Sequence, residues 1–170
     1  MTQTGTLPAA ATPAAATPVT IAREDPLGAD LALLFERHTA AMHEDTPPES
    51  IHMMDASELA IPEVAFFVAR EAGRALAMGA FKRLSGTHGE IKSMHVLAEA
   101  RGKGLSRTML ARIEAEARAA GLTRLSLETG VQPSFAAARA LYETAGYRVC
   151  GPFEGYWDDP NSLFMTKDLG

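Results

Sequence analysis

The run Met94-His95-Val96-Leu97-Ala98-Glu99-Ala100-Arg101-Gly102-Lys103-Gly104-Leu105-Ser106-Arg107 decides the fold. Its first part reads as a β-strand, its middle as a glycine turn and its end as the start of an amphipathic helix. Beyond the turn, Leu105, Met109, Ile113 and Ala117 form an apolar stripe, while Arg107, Glu114 and Arg118 are expected to point mainly away. Two glycines let the backbone come close to a ligand, and the first turn of a helix presents N–H groups with no partner of their own. Helped by the helix dipole, those donors make a site for phosphate oxygens. The unit predicts a pocket for a ligand that carries a pyrophosphate.

Working outward, the strand extends back to Glu90, so that Glu90 to Leu97 is one element, and Gly121 caps the helix. Upstream, Val64 to Arg70 and Leu76 to Leu84 form a hairpin around Ala72-Gly73-Arg74. Val19 to Arg23 alternates as a first strand. Leu31, Leu34, Phe35 and His38 share one face of a helix from Asp30 to His43, which Thr46-Pro47-Pro48-Glu49-Ser50 breaks, and Asp55 to Leu59 is a short second helix. Downstream, Thr123 to Glu128 is a strand. Pro133 opens a helix with Phe135, Ala138, Leu141, Tyr142 and Ala145, closed by Gly146. Tyr147 to Cys150 and Leu163 to Lys167 are the last strands, joined by an aromatic, acidic loop from Phe153 to Asn161. This order predicts an α/β (α+β) domain around a mixed sheet.

The 170 residues suffice for one domain, Val19 to Gly170, and Met1 to Pro18 (Ala, Thr and Pro without charge) reads as a disordered tail. Hydrophobic residues make up 46% and charged ones 22%, which indicates an ordinary soluble protein. A net charge of -5 without a basic run argues against nucleic-acid binding. No apolar run is long enough to cross a bilayer, no secretory signal is present, and the lone Cys150 fits a reducing compartment, so a cytoplasmic location is expected. His38 and His43 do not share a helix face, and neither a His-Glu-x-x-His motif nor a cysteine pair occurs, so no metal is expected. No Gly-x-Ser-x-Gly elbow supports a serine hydrolase.

The glycine turn fits neither of two common phosphate loops. A Walker loop requires an upstream glycine and a Ser or Thr after the lysine, whereas Gly104 follows Lys103. A dinucleotide loop requires a third glycine where Arg107 stands. Arg101-Gly102-Lys103-Gly104-Leu105-Ser106 instead resembles the Arg/Gln-x-x-Gly-x-Gly/Ala loop of the GNAT superfamily of N-acetyltransferases, with Ser106 in place of the final Gly or Ala. Leu141-Tyr142-Glu143-Thr144-Ala145-Gly146-Tyr147 is similar to that family's late helix and tyrosine motif. The resemblance is specific from Glu90 to Tyr147. It implies a mixed, mostly antiparallel central sheet flanked by helices, and acetyl-CoA as co-substrate.

What the resemblance implies can be assigned residue by residue. The pantetheine arm would lie beside Met94, His95 and Val96, with a backbone N–H near Val96 polarising the thioester oxygen. The pyrophosphate would rest on the amides from Gly102 to Arg107 (Gly102, Lys103, Gly104, Leu105, Ser106, Arg107), with charge from Arg101, Lys103 and Arg107. Glu90 matches a glutamate that some members use as a base, and strand alternation would put Glu90, Lys92, Met94 and Val96 on one side if no bulge intervenes. Glu128 is the other candidate. Tyr142, two helical turns after Phe135, faces inward, either as a core tyrosine or as the proton donor to the leaving thiolate. The segment from His43 to His52, with His43, Ser50 and His52, would form one wall of an acceptor pocket, and the loop carrying Tyr156, Trp157, Asp158 and Asn161 the other. The expected reaction is transfer of acetyl to a primary amine of a small molecule by direct attack in a ternary complex. A protein or peptide amino terminus is the alternative acceptor, and an inactive acyl-CoA-binding sensor the alternative function. The C-terminal strands offer an edge at which a homodimer could pair.

Overall fold

The computed structural model describes residues 16–170. The expected tail therefore lies outside the described residues except for Ala16, Thr17 and Pro18, which carry no regular structure. The strands are β1 (Val19–Arg23), β2 (Val64–Glu71), β3 (Arg74–Arg83), β4 (His88–Val96), β5 (Arg124–Gly130), β6 (Arg148–Cys150) and β7 (Ser162–Asp168). The helices are α1 (Ala32–Met42), α2 (Ala56–Leu59), α3 (Leu105–Ala119) and α4 (Ala136–Thr144). Single 3-10 turns at Ala29–Leu31 and Pro133–Phe135 lead into α1 and α4, and Asp55 closes a capping box with Glu58 at the start of α2.

The seven strands form one sheet in the order β1-β2-β3-β4-β5-β7-β6, antiparallel except for β4 and β5. A mixed sheet is what the element order predicts, and its mostly antiparallel arrangement is what the family resemblance implies. The parallel pair is short: His88, Gly89 and Glu90 face Arg124, Leu125 and Ser126, and beyond Glu90 the two strands have no ladder between them.

Alternation in β2 separates the faces of the sheet. Phe66 stacks on Phe35 of α1, at 5.8 Å between centroids, whereas Phe67 lies under the Arg112 guanidinium of α3. Gly79 in β3 shows how closely α3 sits: a Cβ there would come within 2.9 Å of Ile113 and 3.0 Å of Met109. The core fills this layer, with Phe67, Met78, Met109 and Ile113 at 0–1% exposure.

Two expectations are overturned. Opposite β3, Ala80 pairs with Lys92 but Met78 with His95, so β4 carries one extra residue. Ser93 absorbs it with a φ of 56°. The bulge reverses the alternation: Glu90, Lys92 and His95 share the α1 face, whereas Met94 crosses to the α3 face beside the Gly79 position. Glu90, Lys92, Met94 and Val96 therefore do not line one side. Glu114 also departs from expectation. It is 8% exposed, and both its carboxylate oxygens accept from Lys167 Nζ at 2.9 Å, because α3 lies against the end of β7. The ion pair is what allows a charge on the inner side of that helix.

Replacing Gly79 with valine would drive a branched side chain into Ile113 and Met109. Gly79→Val is expected to cost about 1–3 kcal/mol, as overpacking of a dense core does, seen as a lower midpoint in urea unfolding, with Gly79→Ala in between.

Candidate active site

Where β4 and β5 part, a cavity of about 650 Å³ opens between them, α1, the following loop, the first turn of α3, and α4. Its two ends differ in chemistry. At one end is the glycine turn. Gly102 and Gly104 adopt φ of 80° and 74°, left-handed values that favour glycine, and nothing stands within 4 Å of where a Cβ would be. Thr108 is the first residue of α3 to return a hydrogen bond, to Gly104 O, so the N–H groups of Leu105, Ser106 and Arg107 precede the helical ladder. Leu105 is buried and anchors that turn. Arg101 Nε donates to Val96 O at 3.4 Å and ties the turn to β4. Arg101, Gly102, Gly104, Leu105 and Ser106 line the cavity. Lys103, whose Nζ is 3.8 Å from Glu71, and the exposed Arg107 flank it.

Met94, His95 and Val96 also line the cavity, but from different faces because of the bulge. His95 meets His38 of α1 edge-on, at 5.4 Å between ring centroids. Burial pushes both imidazoles down to about 4, helped at His95 by the Arg101 and Arg37 charges and at His38 by His95. His38 was legible only as a histidine on an apolar helical stripe.

Tyr142 reaches the cavity from α4. It is 5% exposed and packs edge-on against Tyr147. Burial raises its pKa well above that of a free phenol, so the hydroxyl keeps its proton at neutral pH.

On the α1 face, Glu90 is 5% exposed and already engaged. Tyr156 Oη donates to its Oε1 at 2.5 Å and Lys92 Nζ at 3.1 Å. Lys92 also donates to Tyr156 Oη at 3.0 Å and to His52 O at 3.1 Å. This closed cluster joins β4, the loop after α1, and the β6–β7 loop. Burial and the Glu90 carboxylate push the Tyr156 phenol up, and burial with the Lys92 charge pushes the His52 imidazole down. Lys92 is the residue whose role the sequence understated: a lysine two places from a glutamate shares its face of a strand, which is a signal for an ion pair.

Glu128 lies on the same face. Glu90 is paired with Ser126, whose Oγ meets His88 Nε2 at 2.7 Å, and alternation carries that side on to Glu128. Burial raises its pKa, with the Ser162 hydroxyl and the Lys92 charge acting in the opposite direction. Ser50 and His52 line the cavity too. Ser50 Oγ accepts from Asn161 Nδ2 at 3.2 Å, and His52 is edge-on to Tyr156 and Trp157 at 5.1 and 5.0 Å. Trp157 is 54% exposed and stands behind His52 rather than on the cavity surface. His43 is not brought in: its Nδ1 contacts Thr39 O at 2.9 Å at the exposed end of α1. No cluster of three or more potential metal ligands occurs among the described residues.

An arched mixed sheet, a donor-rich glycine turn and a tyrosine facing them define an acyltransferase-like site. Residues 32–147 match the Acetyltransferase (GNAT) family, and the chain belongs to it. It is 44% identical over 146 residues, 86% of this chain and 97% of the relative, to the uncharacterized N-acetyltransferase YsnE of Bacillus subtilis (strain 168). It is 46% identical over 153 residues, 89% of this chain and 98% of the relative, to the IAA acetyltransferase of Azospirillum brasilense. In fold it is similar to the PaiA N-acetyltransferase of Thermoplasma acidophilum, solved with coenzyme A. There the TM-score is 0.71 and the identity 13%, over 89% of this chain and 99% of the other.

The two buried imidazoles have a consequence for acid stability. Their folded values of about 4 lie below the 6.5 of a free histidine, so between those limits the unfolded chain binds protons that the folded one refuses. Folding stability is expected to fall as pH drops from 6.5 towards 4. His38→Phe should lose part of that slope, as urea unfolding of both proteins across the range would measure.

Proposed function

We propose that this protein moves the acetyl group of acetyl-CoA to a primary amine of a small molecule, by direct attack within a ternary complex. The observation that carries the reading is one continuous cavity. It joins the amides of the glycine turn to a carboxylate-bearing face, with Tyr142 among the residues that line it. The turn fits a pyrophosphate because its donors have no helical acceptor and its glycines leave the space above them open. Beyond Glu90, β4 has no neighbouring strand on its β5 side, and an extended pantetheine arm can use those backbone groups as a strand would. The relatives named as acetyltransferases and the PaiA structure with coenzyme A support the same assignment.

The residues then have the following roles. Arg101, Gly102, Lys103, Gly104, Leu105, Ser106 and Arg107 hold the pyrophosphate, and β4 around Met94, His95 and Val96 holds the arm and polarises the thioester carbonyl. A carboxylate of the α1 face, Glu90 or Glu128, takes a proton from the ammonium. The neutral nitrogen attacks the carbonyl carbon, the C–N bond forms, and the C–S bond breaks. Tyr142 gives its proton to the departing sulfur, and the second nitrogen proton restores the phenol through solvent. Cys150, whose thiol is pushed up by burial, has no role as a nucleophile.

Tyr142→Phe is expected to keep acetyl-CoA affinity and lower kcat by about 10²–10⁴, the usual contribution of a general acid. Calorimetry and a free-thiol release assay check the two halves separately. An unchanged kcat would remove the role, and acetyl-CoA binding without turnover of any amine or peptide would favour a sensor. Gly104→Val should abolish binding, since a branched residue is disfavoured at φ 74° and its side chain would occupy the space over the turn.

A further inference from the structure

We propose that the acceptor is a cationic amine with no carboxylate beside its nitrogen, and that Glu128 rather than Glu90 receives it as counter-ion and takes its proton. The inference rests on the cavity being the acetyl-transfer site. It follows from counting which polar groups on the α1 face still have something to offer a ligand.

Lys92 has three N–H donors, and His52 O, Glu90 Oε1 and Tyr156 Oη take one each. Tyr156 spends its only proton on Glu90. Glu90 is thereby ion-paired and hydrogen-bonded, its Oε1 already shared by two donors, and it serves as a strut between β4 and the two acceptor loops. Glu128 is in the opposite position: it lines the same cavity, no lysine or arginine among the described residues forms an ion pair with it, and the Ser162 hydroxyl is its one side-chain hydrogen-bonding neighbour. Its desolvation draws its proton affinity towards that of an amine, which suits a base.

The same count excludes a carboxylate on the acceptor. Among the described residues, the only lysine or arginine lining the cavity besides Lys92 is Arg101, at the glycine-turn end and tied to Val96 O. His38 and His95 are held neutral. The acceptor half thus presents Glu44, Glu90 and Glu128 against the single, spent Lys92. An ammonium is attracted there, whereas the carboxylate of an amino acid would find no side-chain cation and would face Glu128 across a partly dry cavity.

The test compares amines with the amino acids from which they differ only by the carboxylate: tyramine with tyrosine, tryptamine with tryptophan, agmatine with arginine. Thiol release with acetyl-CoA should show at least one amine used with kcat/KM about 100-fold above its amino acid, the scale of a misplaced charge. Glu128→Gln should lower kcat/KM for that amine by about 100-fold or more while acetyl-CoA affinity, which also reports folding, stays unchanged. Glu90→Gln, which can keep both hydrogen bonds through its amide oxygen, should cost about tenfold or less, mainly in KM. Equal or better use of the amino acids, turnover of none of the amines by a protein that binds acetyl-CoA, or a fully active Glu128→Gln protein would overturn the inference. Failure to bind acetyl-CoA at all would instead defeat the transfer reading beneath it.

Discussion

Everything at this site depends on how briefly β4 and β5 stay together. Parallel pairing holds for three residues on each strand and then stops at Glu90 and Ser126. A backbone in the middle of a sheet that loses its ladder leaves polar groups without partners, which is unfavourable unless something else meets them. The protein supplies partial answers: Arg101 reaches back to Val96 O, and Ser93 takes up an extra residue. What remains is a slot through the sheet with a different chemistry at each mouth, amide donors on one side and carboxylates on the other.

Much of this was legible in the chain. Element order, the hairpin, the glycine turn and the inward Tyr142 follow from periodicity and turn residues, and each sits within a few residues of its expected place. The bulge was not legible, because Lys92-Ser93-Met94-His95 carries no glycine to announce it, and it alone changes which side chains meet. The strand alternation that would have grouped Glu90 with Met94 and Val96 groups it with Lys92 and His95 instead. Glu114 escaped for a related reason. A helix position that looks polar by pattern can still turn inward when a partner such as Lys167 arrives from a strand 53 residues further along.

The acceptor face shows the same dependence on distant partners. Glu90 and Lys92 stand two places apart on β4, but Tyr156 lies 66 residues beyond Glu90 and nothing local announces it. Brought together, they settle one another's hydrogen bonds and let two charges sit largely out of water, at 6% and 11% side-chain exposure. The family match extends over residues 32–147, which includes Glu90 and Lys92 but not Tyr156.

The separation of these residues along the chain has an evolutionary implication. The amides proposed to hold a pyrophosphate belong to the strand–turn–helix unit at the heart of the sheet, while Tyr156 and Trp157 sit on a long excursion between β6 and β7 that packs on the sheet through the rings of Phe153, Tyr156 and Phe164 and reaches Glu90 through the Tyr156 hydroxyl. Insertions, deletions or wholesale exchange of that excursion can reshape what is accepted while the donor-binding half is inherited intact. A lineage built on this plan can therefore diversify its chemistry at its rim, leaving its engine untouched.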